Sequence, residues 1–252
     1  MQLQVTRLAG VSDRIVFVHG SLSDGDIAFA AQRDLAPRWE VVIPNRRGYG
    51  LNPAISKVDH ETDAGDVIEL LGQGAHLVGT SMGGVVAARA AERAPERIKT
   101  LTLIEPPAFQ TAKDSEAVSR VIEALELHWR TADKTNVPLF LAGFLKALRI
   151  DVQLPSPLPQ PMVKAARNLM TESPWLATIG VDAIAKASFP KLIVSGDCSP
   201  ALEAICDKLA SRWNAVRRIF PGAGHAVQRI GAPFNELLEK FISGQPLALR
   251  AE

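Results

Sequence analysis

The sequence predicts an α/β fold in which a mostly parallel central sheet is flanked by helices. The main observation is that short apolar runs, rich in β-branched residues, alternate with stretches of helical periodicity. Continuous apolar runs are typical of strands buried on both faces, and strand–helix alternation is typical of parallel sheets with right-handed crossovers. The length of 252 residues and the apolar content of 47% fit one large domain, or a core with an insertion.

The strands and helices are predicted in a regular order along the chain. RIVFVHG at 14–20 is the first strong strand, because its apolar and β-branched residues end at a glycine. One strand is expected before it, within MQLQVTRL. Five further strands of the same form are predicted at 39–45, 75–79, 99–105, 190–196 and 215–222. Helices are predicted between and after the strands at 26–36, 61–73, 83–93, 201–212 and 233–243.

The alternation is interrupted once, between about 106 and 187, where no strand is predicted. Amphipathic helical patterns occupy EAVSRVIEALELHW, VPLFLAGFLKAL and PMVKAARNLM, and the proline-rich PSPLPQP connects two of them. A helical insertion between two strands of a parallel sheet explains this pattern. We therefore predict an α/β core formed by 1–105 and 188–252, with a helical cap at 106–187.

Composition excludes several classes of function. The net charge is +1 and the basic runs NRR and VRR are short, so neither nucleic acid nor a membrane is expected as a partner. The N-terminal residues lack the apolar core of a signal peptide, and a cytoplasmic location is the expectation. Cys198 and Cys206 have no second pair, so neither a zinc site nor a disulfide framework is predicted, and no metal or cofactor is expected.

Ser81 lies at the corner HLVGTSMGG, between a predicted buried strand and a predicted helix. A tight strand-to-helix turn forces its central residue into a strained backbone conformation and requires small neighbours, which the flanking glycines supply. Such a turn exposes the serine hydroxyl at the carboxyl edge of the sheet. It also places the Met82 N–H at a helix N-terminus, where the N–H can stabilise an oxyanion.

A serine hydroxyl needs a base to act as a nucleophile, and His225 is the best candidate among the five histidines. His225 follows the last predicted strand, in the glycine-rich FPGAGHAVQ. His19 ends the first strong strand, and its ring is expected to stabilise the loop that presents the Ser21 N–H as a second oxyanion donor. His60, His76 and His128 are interpreted as structural or packing residues.

Five motifs, in the order FVHGS, NRRGYG, GTSMGG, SGDCSP and GAGHA, resemble those of the α/β-hydrolase superfamily. The resemblance spans the chain outside the insertion, which matches the helical cap that the family carries between strands six and seven. Relatives usually have a two-stranded hairpin where this chain offers one strand, so the sheet is expected to be one strand shorter. The family also contains lyases, dehalogenases, cofactor-free oxygenases and non-catalytic receptors.

The acid that would orient His225 has two candidates. The common family position is the loop after KLIVS, a residue or two beyond Asp197, where Cys198 and Ser199 stand instead. The alternative is Glu105 at the end of KTLTLIE, a strand end at which some relatives carry a catalytic glutamate. A buried carboxylate there would be stabilised by the His225 ring N–H. Glu105 is therefore favoured, with Asp197 as the alternative.

Ser81 predicts acyl transfer to water, so hydrolysis of an ester or lactone of a hydrophobic small molecule is the favoured activity. The alternatives are a C–C bond hydrolase or cofactor-free oxygenase on the same site, and a receptor that only binds its ligand. A monomer or homodimer is expected. The substrate pocket is predicted from apolar residues of the insertion: Trp129, Phe140, Phe144, Met162 and Trp175.

Overall fold

The computed structural model describes residues 2–247, so the last five residues of the predicted core segment, 248–252, lie outside the described part. The chain forms a seven-stranded sheet in the order β1-β3-β2-β4-β5-β6-β7. Only β1, which pairs with β3, is antiparallel among these strands. The strands are β1 Val5–Leu8, β2 Arg14–Val18, β3 Glu40–Pro44, β4 Ala75–Thr80, β5 Ile98–Ile104, β6 Lys191–Ser195 and β7 Val216–Ile219. The predicted fold class is confirmed.

Helices cover both faces of the sheet and bury two apolar clusters. One cluster contains Val85 and Val86 of the helix Met82–Arg93 with Leu101 of β5, and the other contains Ile15 of β2 with Phe234 of the helix Ala232–Ile242. The helices of the core are α1 Gly25–Ala28, α2 His60–Leu71, α3 Met82–Arg93, α8 Pro200–Trp213 and α9 Ala232–Ile242. Because β2, β4, β5, β6 and β7 are parallel neighbours, the residues that follow them meet at one edge of the sheet.

The predicted helix at 26–36 is wrong in part. It consists of a short α1 followed by a 3-10 helix at Ala30–Leu35. Phe29 interrupts the α-helix with φ −118° because its fully buried ring packs on Phe17, with centroids 5.0 Å apart. Tertiary packing thus overrides the local helical pattern.

The insertion forms four helices: α4 Glu116–Thr131, α5 Val137–Leu148, α6 Gln160–Leu169 and α7 Val181–Lys186. No strand lies between 106 and 187, all of which the structure describes. The helices follow β5 and precede β6, so in this chain's own count the insertion lies between strands five and six, not six and seven. The difference arises because the described chain has one N-terminal strand before β2 rather than two. Whether these helices act as a cap stays a prediction.

The described residues contain no helix that is both long enough and apolar enough to cross a membrane.

Candidate active site

Ser81 lies between β4 and α3 in a strained conformation, with φ 52° and ψ −131°. A positive φ is costly for a residue with a side chain and persists only where the surroundings hold it. Here the Ser81 N–H donates to the carbonyl of Ile104 at 2.8 Å, and the Ser81 carbonyl accepts from the Gly84 N–H at 2.8 Å. The corner therefore has the geometry that the sequence predicts for a nucleophile elbow.

Two glycines allow neighbouring backbone to approach this corner. A Cβ on Gly83 would lie 2.2 Å from the carbonyl oxygen of Val18, so α3 packs directly against the end of β2. A Cβ on Gly20 would lie 2.9 Å from the Ser81 Cβ and 3.4 Å from its Oγ. The loop after β2 thus faces the Ser81 hydroxyl at close range.

Glu105 follows β5 with φ 42°, and its side chain is fully buried. One carboxylate oxygen, Oε2, lies 2.5 Å from His225 Nδ1 and 3.1 Å from the Sγ of Cys198, whose thiol donates to it. The other oxygen, Oε1, accepts from the Gly196 N–H at 2.7 Å. The carboxylate is therefore hydrogen-bonded to the loops that follow both β6 and β7.

These contacts determine the protonation of the pair. Burial tends to raise the pKa of Glu105, but the hydrogen bonds from His225, Gly196 and Cys198 outweigh it and hold that pKa below its ordinary value. An ionised carboxylate can only accept, so the proton of a neutral His225 is on Nδ1. Its Nε2 is then unprotonated and available as a base.

Asp197, the alternative acid, is exposed and lies at φ 58° in the turn after β6. The turn is held by Glu203 of α8, which accepts from the Asp197 N–H at 3.1 Å and from Ser195 Oγ at 2.7 Å. Glu203 also forms an ion pair with Arg217 at 2.5 Å. The structure therefore brings Glu105, and not Asp197, to His225.

In the described part of the chain, Ser81 and His225 form no hydrogen bond with each other. The His225 side chain is 27% exposed, whereas Glu105 beside it is fully buried. In enzymes without a bound substrate, hydrogen bonds between nucleophile and base are often long and shorten in the substrate complex. Glu105 thus orients the imidazole of His225 without a hydrogen bond between His225 and Ser81.

The two predicted oxyanion donors lie in two segments next to Ser81, the start of α3 and the loop after β2. Met82 begins α3, so its N–H has no partner within the helix. Ser21 lies in the loop beside Gly20, which approaches Ser81 directly. His19 stabilises this loop as predicted: its Nδ1 contacts the Gly20 carbonyl at 2.8 Å and its Nε2 accepts from the Arg46 N–H at 2.9 Å.

The contact between Ser21 and Glu172 is not predicted by the sequence. The Glu172 side chain belongs to the insertion, just after α6, and is fully buried. It accepts from Ser21 Oγ at 3.1 Å and from the Tyr49 hydroxyl at 3.3 Å, and it lies 3.6 Å from His60 Nε2. No local pattern indicates this contact, because Ser21 and Glu172 are 151 residues apart. The insertion is thereby bonded to the loop beside the nucleophile.

The predicted pocket residues form an aromatic cluster around Trp129. The Trp129 ring lies 5.1 Å from Phe140, 5.7 Å from Phe144 and 5.4 Å from Trp175, centroid to centroid. Met162 is half-buried against the same apolar core. A cavity of about 500 Å³ lies beyond α5, lined by Leu145, Arg149 and Val152 among others, and none of the five predicted residues lines it. Their role in a pocket stays a prediction.

Comparison with known proteins decides the family. A model of the Alpha/beta hydrolase family matches residues 15–236. The chain belongs to this family. The match includes β2 to β7, the Ser81 corner and His225, so the resemblance found in the motifs is confirmed.

Individual relatives are more distant. The dihydrolipoyllysine-residue acetyltransferase component of the acetoin cleaving system of Cupriavidus necator is 26% identical over 97% of this chain and 67% of that protein. The pimeloyl-acyl-carrier-protein methyl ester esterase of Chromobacterium violaceum is 28% identical over 86% of this chain and 89% of the esterase. The matches to esterases of the same name from Methylococcus capsulatus and Aeromonas hydrophila cover only 38% and 44% of those proteins.

Among solved structures, Est816, described as an N-acyl homoserine lactone degrading enzyme, has a TM-score of 0.63 at 23% identity. The match covers 95% of this chain and 96% of that chain. At this identity the similarity shows the fold.

Proposed function

We propose that the chain is a serine hydrolase that cleaves an ester or a lactone of a hydrophobic small molecule through Ser81, His225 and Glu105. The observation that carries the proposal is the contact between His225 Nδ1 and Glu105 Oε2 at 2.5 Å, at the sheet edge where Ser81 occupies its strained corner. Similarity to a methyl ester esterase over 86% of this chain supports an ester bond as the bond that is cleaved.

In the proposed reaction, His225 Nε2 takes the proton of Ser81 while Ser81 Oγ attacks the substrate carbonyl. The N–H groups of Ser21 and Met82 bind the oxyanion. Collapse of the tetrahedral intermediate breaks the ester C–O bond, and His225 gives its proton to the leaving alcohol. A water molecule, activated by the same Nε2, then hydrolyses the acyl-enzyme.

Glu105 has a distinct role in this scheme. It accepts from Nδ1 throughout, so it keeps Nε2 unprotonated at the start and stabilises the imidazolium that forms. Removing this orientation leaves the imidazole free to adopt the wrong tautomer. The apolar residues of the insertion, with Trp129 at their centre, favour a hydrophobic acyl group over a sugar or a peptide.

The nucleophile can be tested directly. Purified protein is treated with a p-nitrophenyl alkylphosphonate and digested, and the adduct is located by mass spectrometry. We expect it on Ser81. In parallel, a panel of p-nitrophenyl esters and lactones is assayed with the parent and with Ser81→Ala, and hydrolysis should be lost in the variant. An adduct on another residue, or a Ser81→Ala variant as active as the parent, would reject the proposal. A parent that binds esters without hydrolysing any would favour a receptor.

A further inference from the structure

Three side chains that can bind a metal ion lie together, and one of them is the proposed base, His225. The thiol of Cys198, the carboxylate of Glu105 and a ring nitrogen of His225 all lie within 4.8 Å of one another. Glu105 Oε2 is the common point, at 3.1 Å from the sulfur and 2.5 Å from the nitrogen. The sulfur, oxygen and nitrogen atoms come from three loops, those after β6, β5 and β7.

We infer that Cys198, Glu105 and His225 form an inhibitory site for a thiophilic divalent cation such as Zn²⁺. The inference rests on the proposed function, because inhibition requires His225 to be the base. Neither the family match nor the relatives assign such a site.

The geometry is close to what zinc requires. Zinc–ligand bonds of about 2.0–2.3 Å at tetrahedral angles place the ligand atoms roughly 3.3–3.6 Å apart. The two contacts of Glu105 Oε2, at 3.1 Å to the sulfur and 2.5 Å to the nitrogen, would lengthen by less than about an ångström to admit the ion. Glu105 Oε1 remains bonded to the Gly196 N–H, which holds the carboxylate in position.

Two of the three ligand residues are partly exposed to solvent. His225 is 27% exposed and Cys198 is half-buried, whereas Glu105 is fully buried behind them. The set of one thiolate, one imidazole and one carboxylate suits zinc or cadmium and does not suit magnesium or calcium, which bind through oxygen.

The expected inhibition follows from the position of one proton. A cation on Nδ1 of a neutral His225 moves the imidazole proton to Nε2, so that Nε2 can no longer take the proton of Ser81. The thiol proton of Cys198 is released to solvent, and the site changes from a net charge of −1 to 0. No bond of the substrate is involved, so the inhibition should be reversible with a chelator.

Binding is measured apart from activity by adding Co²⁺, which gives a near-ultraviolet charge-transfer band only when a thiolate binds it. We expect the band in the parent and in Ser81→Ala, and its loss in Cys198→Ala and Cys198→Ser. The serine variant keeps the size of the side chain, so it controls for loss of folding. Cys206→Ala is the matched control, because Cys206 is the other cysteine and is fully buried in α8.

Inhibition is then measured with p-nitrophenyl acetate under Zn²⁺ or Mg²⁺. We expect Zn²⁺ to inhibit the parent and Cys206→Ala. In Cys198→Ser the inhibition constant for Zn²⁺ should rise at least about tenfold, since changing even a residue that only hydrogen-bonds a metal ligand costs that much metal affinity. Mg²⁺ should have no effect. A missing band in the parent, an unchanged band in Cys198→Ala, or bound zinc with undiminished hydrolysis would overturn the inference. A normal band in a protein that hydrolyses no ester would support the cation site and reject the proposed function.

Discussion

Cys198 donates its thiol proton to Glu105, with Sγ 3.1 Å from Oε2. The resemblance of the motifs to the α/β-hydrolase superfamily implies an acid in the loop that Cys198 occupies, where this chain has a thiol. The carboxylate comes instead from the end of the neighbouring strand β5. Burial and the nearby Glu105 charge raise the pKa of Cys198, so the thiol stays protonated and acts as a donor.

The first prediction concerns the acid. Glu105→Gln removes the negative charge that orients His225, and we expect kcat for p-nitrophenyl butyrate to fall roughly ten-thousandfold, as for an Asp-to-Asn change in a serine protease triad. Asp197→Asn is the matched control, since Asp197 is exposed and is not bonded to His225. It should change kcat little. The reverse pattern would assign the acid to Asp197.

The second prediction transfers the acid to the common family position. In the Glu105→Gln background, Cys198→Asp places a carboxylate close to where Glu105 Oε2 lies now. We expect kcat to recover at least about tenfold relative to Glu105→Gln alone, because the imidazole regains a charged acceptor. Cys198→Asn in the same background supplies the shape without the charge and should not restore activity. Equal recovery of kcat in both double variants would show that the charge of the side chain at position 198 does not affect kcat.

The third prediction tests whether Glu172 of the insertion positions the loop that carries Ser21, a proposed oxyanion donor. Glu172→Gln weakens the bond to Ser21 Oγ, and Ser21→Ala removes it while keeping the main-chain N–H. We expect each to lower kcat on the order of tenfold, with a smaller change in KM, because a small misplacement of a catalytic donor is costly. The double variant should be no worse than the more damaging single variant, because both act through one contact.

Tyr49→Phe is the control for this contact. It removes another donor to Glu172, at 3.3 Å, without changing Ser21. It should lower the melting temperature while kcat is retained. Additive losses of kcat for Ser21→Ala and Glu172→Gln would contradict a shared role and show that Glu172 affects kcat independently of Ser21.

The fourth prediction is a loss of stability in mild acid. Burial lowers the pKa of His19 to about 3 and that of His76 to about 4. The unfolded chain protonates these rings near pH 6.5. Between roughly pH 6.5 and 4 the unfolded state therefore binds more protons, so the free energy of unfolding falls as the pH falls. Each histidine contributes a slope of up to about 1.4 kcal/mol per pH unit.

Urea unfolding of the parent and of His76→Gln, measured from pH 4.5 to 7, checks this prediction. Below pH 6, the slope of the free energy of unfolding against pH should be smaller in His76→Gln by about the contribution of one histidine. Thr100→Val is the control, because Thr100 Oγ1 contacts His76 Nδ1 at 2.9 Å and does not titrate. Thr100→Val should lower stability without removing the slope. An unchanged slope in His76→Gln would show that His76 is not responsible.

The sequence could predict the fold and the proposed catalytic residues because each is encoded locally. Parallel strands end at one edge of the sheet, so a serine, a glutamate and a histidine that follow three strand ends are brought together by topology. The break at Phe29 and the contact of Glu172 with Ser21 were beyond prediction. They depend on which buried neighbour each side chain meets, and sequence periodicity carries no information on that.

The last prediction separates packing from selectivity in the aromatic cluster. The Phe140 side chain is fully buried, so Phe140→Ala should destabilise the protein by about 3–5 kcal/mol. Trp175 is half-buried at the edge of the cluster, against Trp129. If it contacts the acyl chain, Trp175→Ala should shift the ratio of kcat/KM for p-nitrophenyl octanoate to that for acetate by about tenfold, with a smaller loss of stability. The ratio and the melting temperature are measured for both variants. A Trp175→Ala variant that loses as much stability as Phe140→Ala while keeping the parent's ratio would show that Trp175 only packs, and that the residues selecting the acyl chain lie elsewhere.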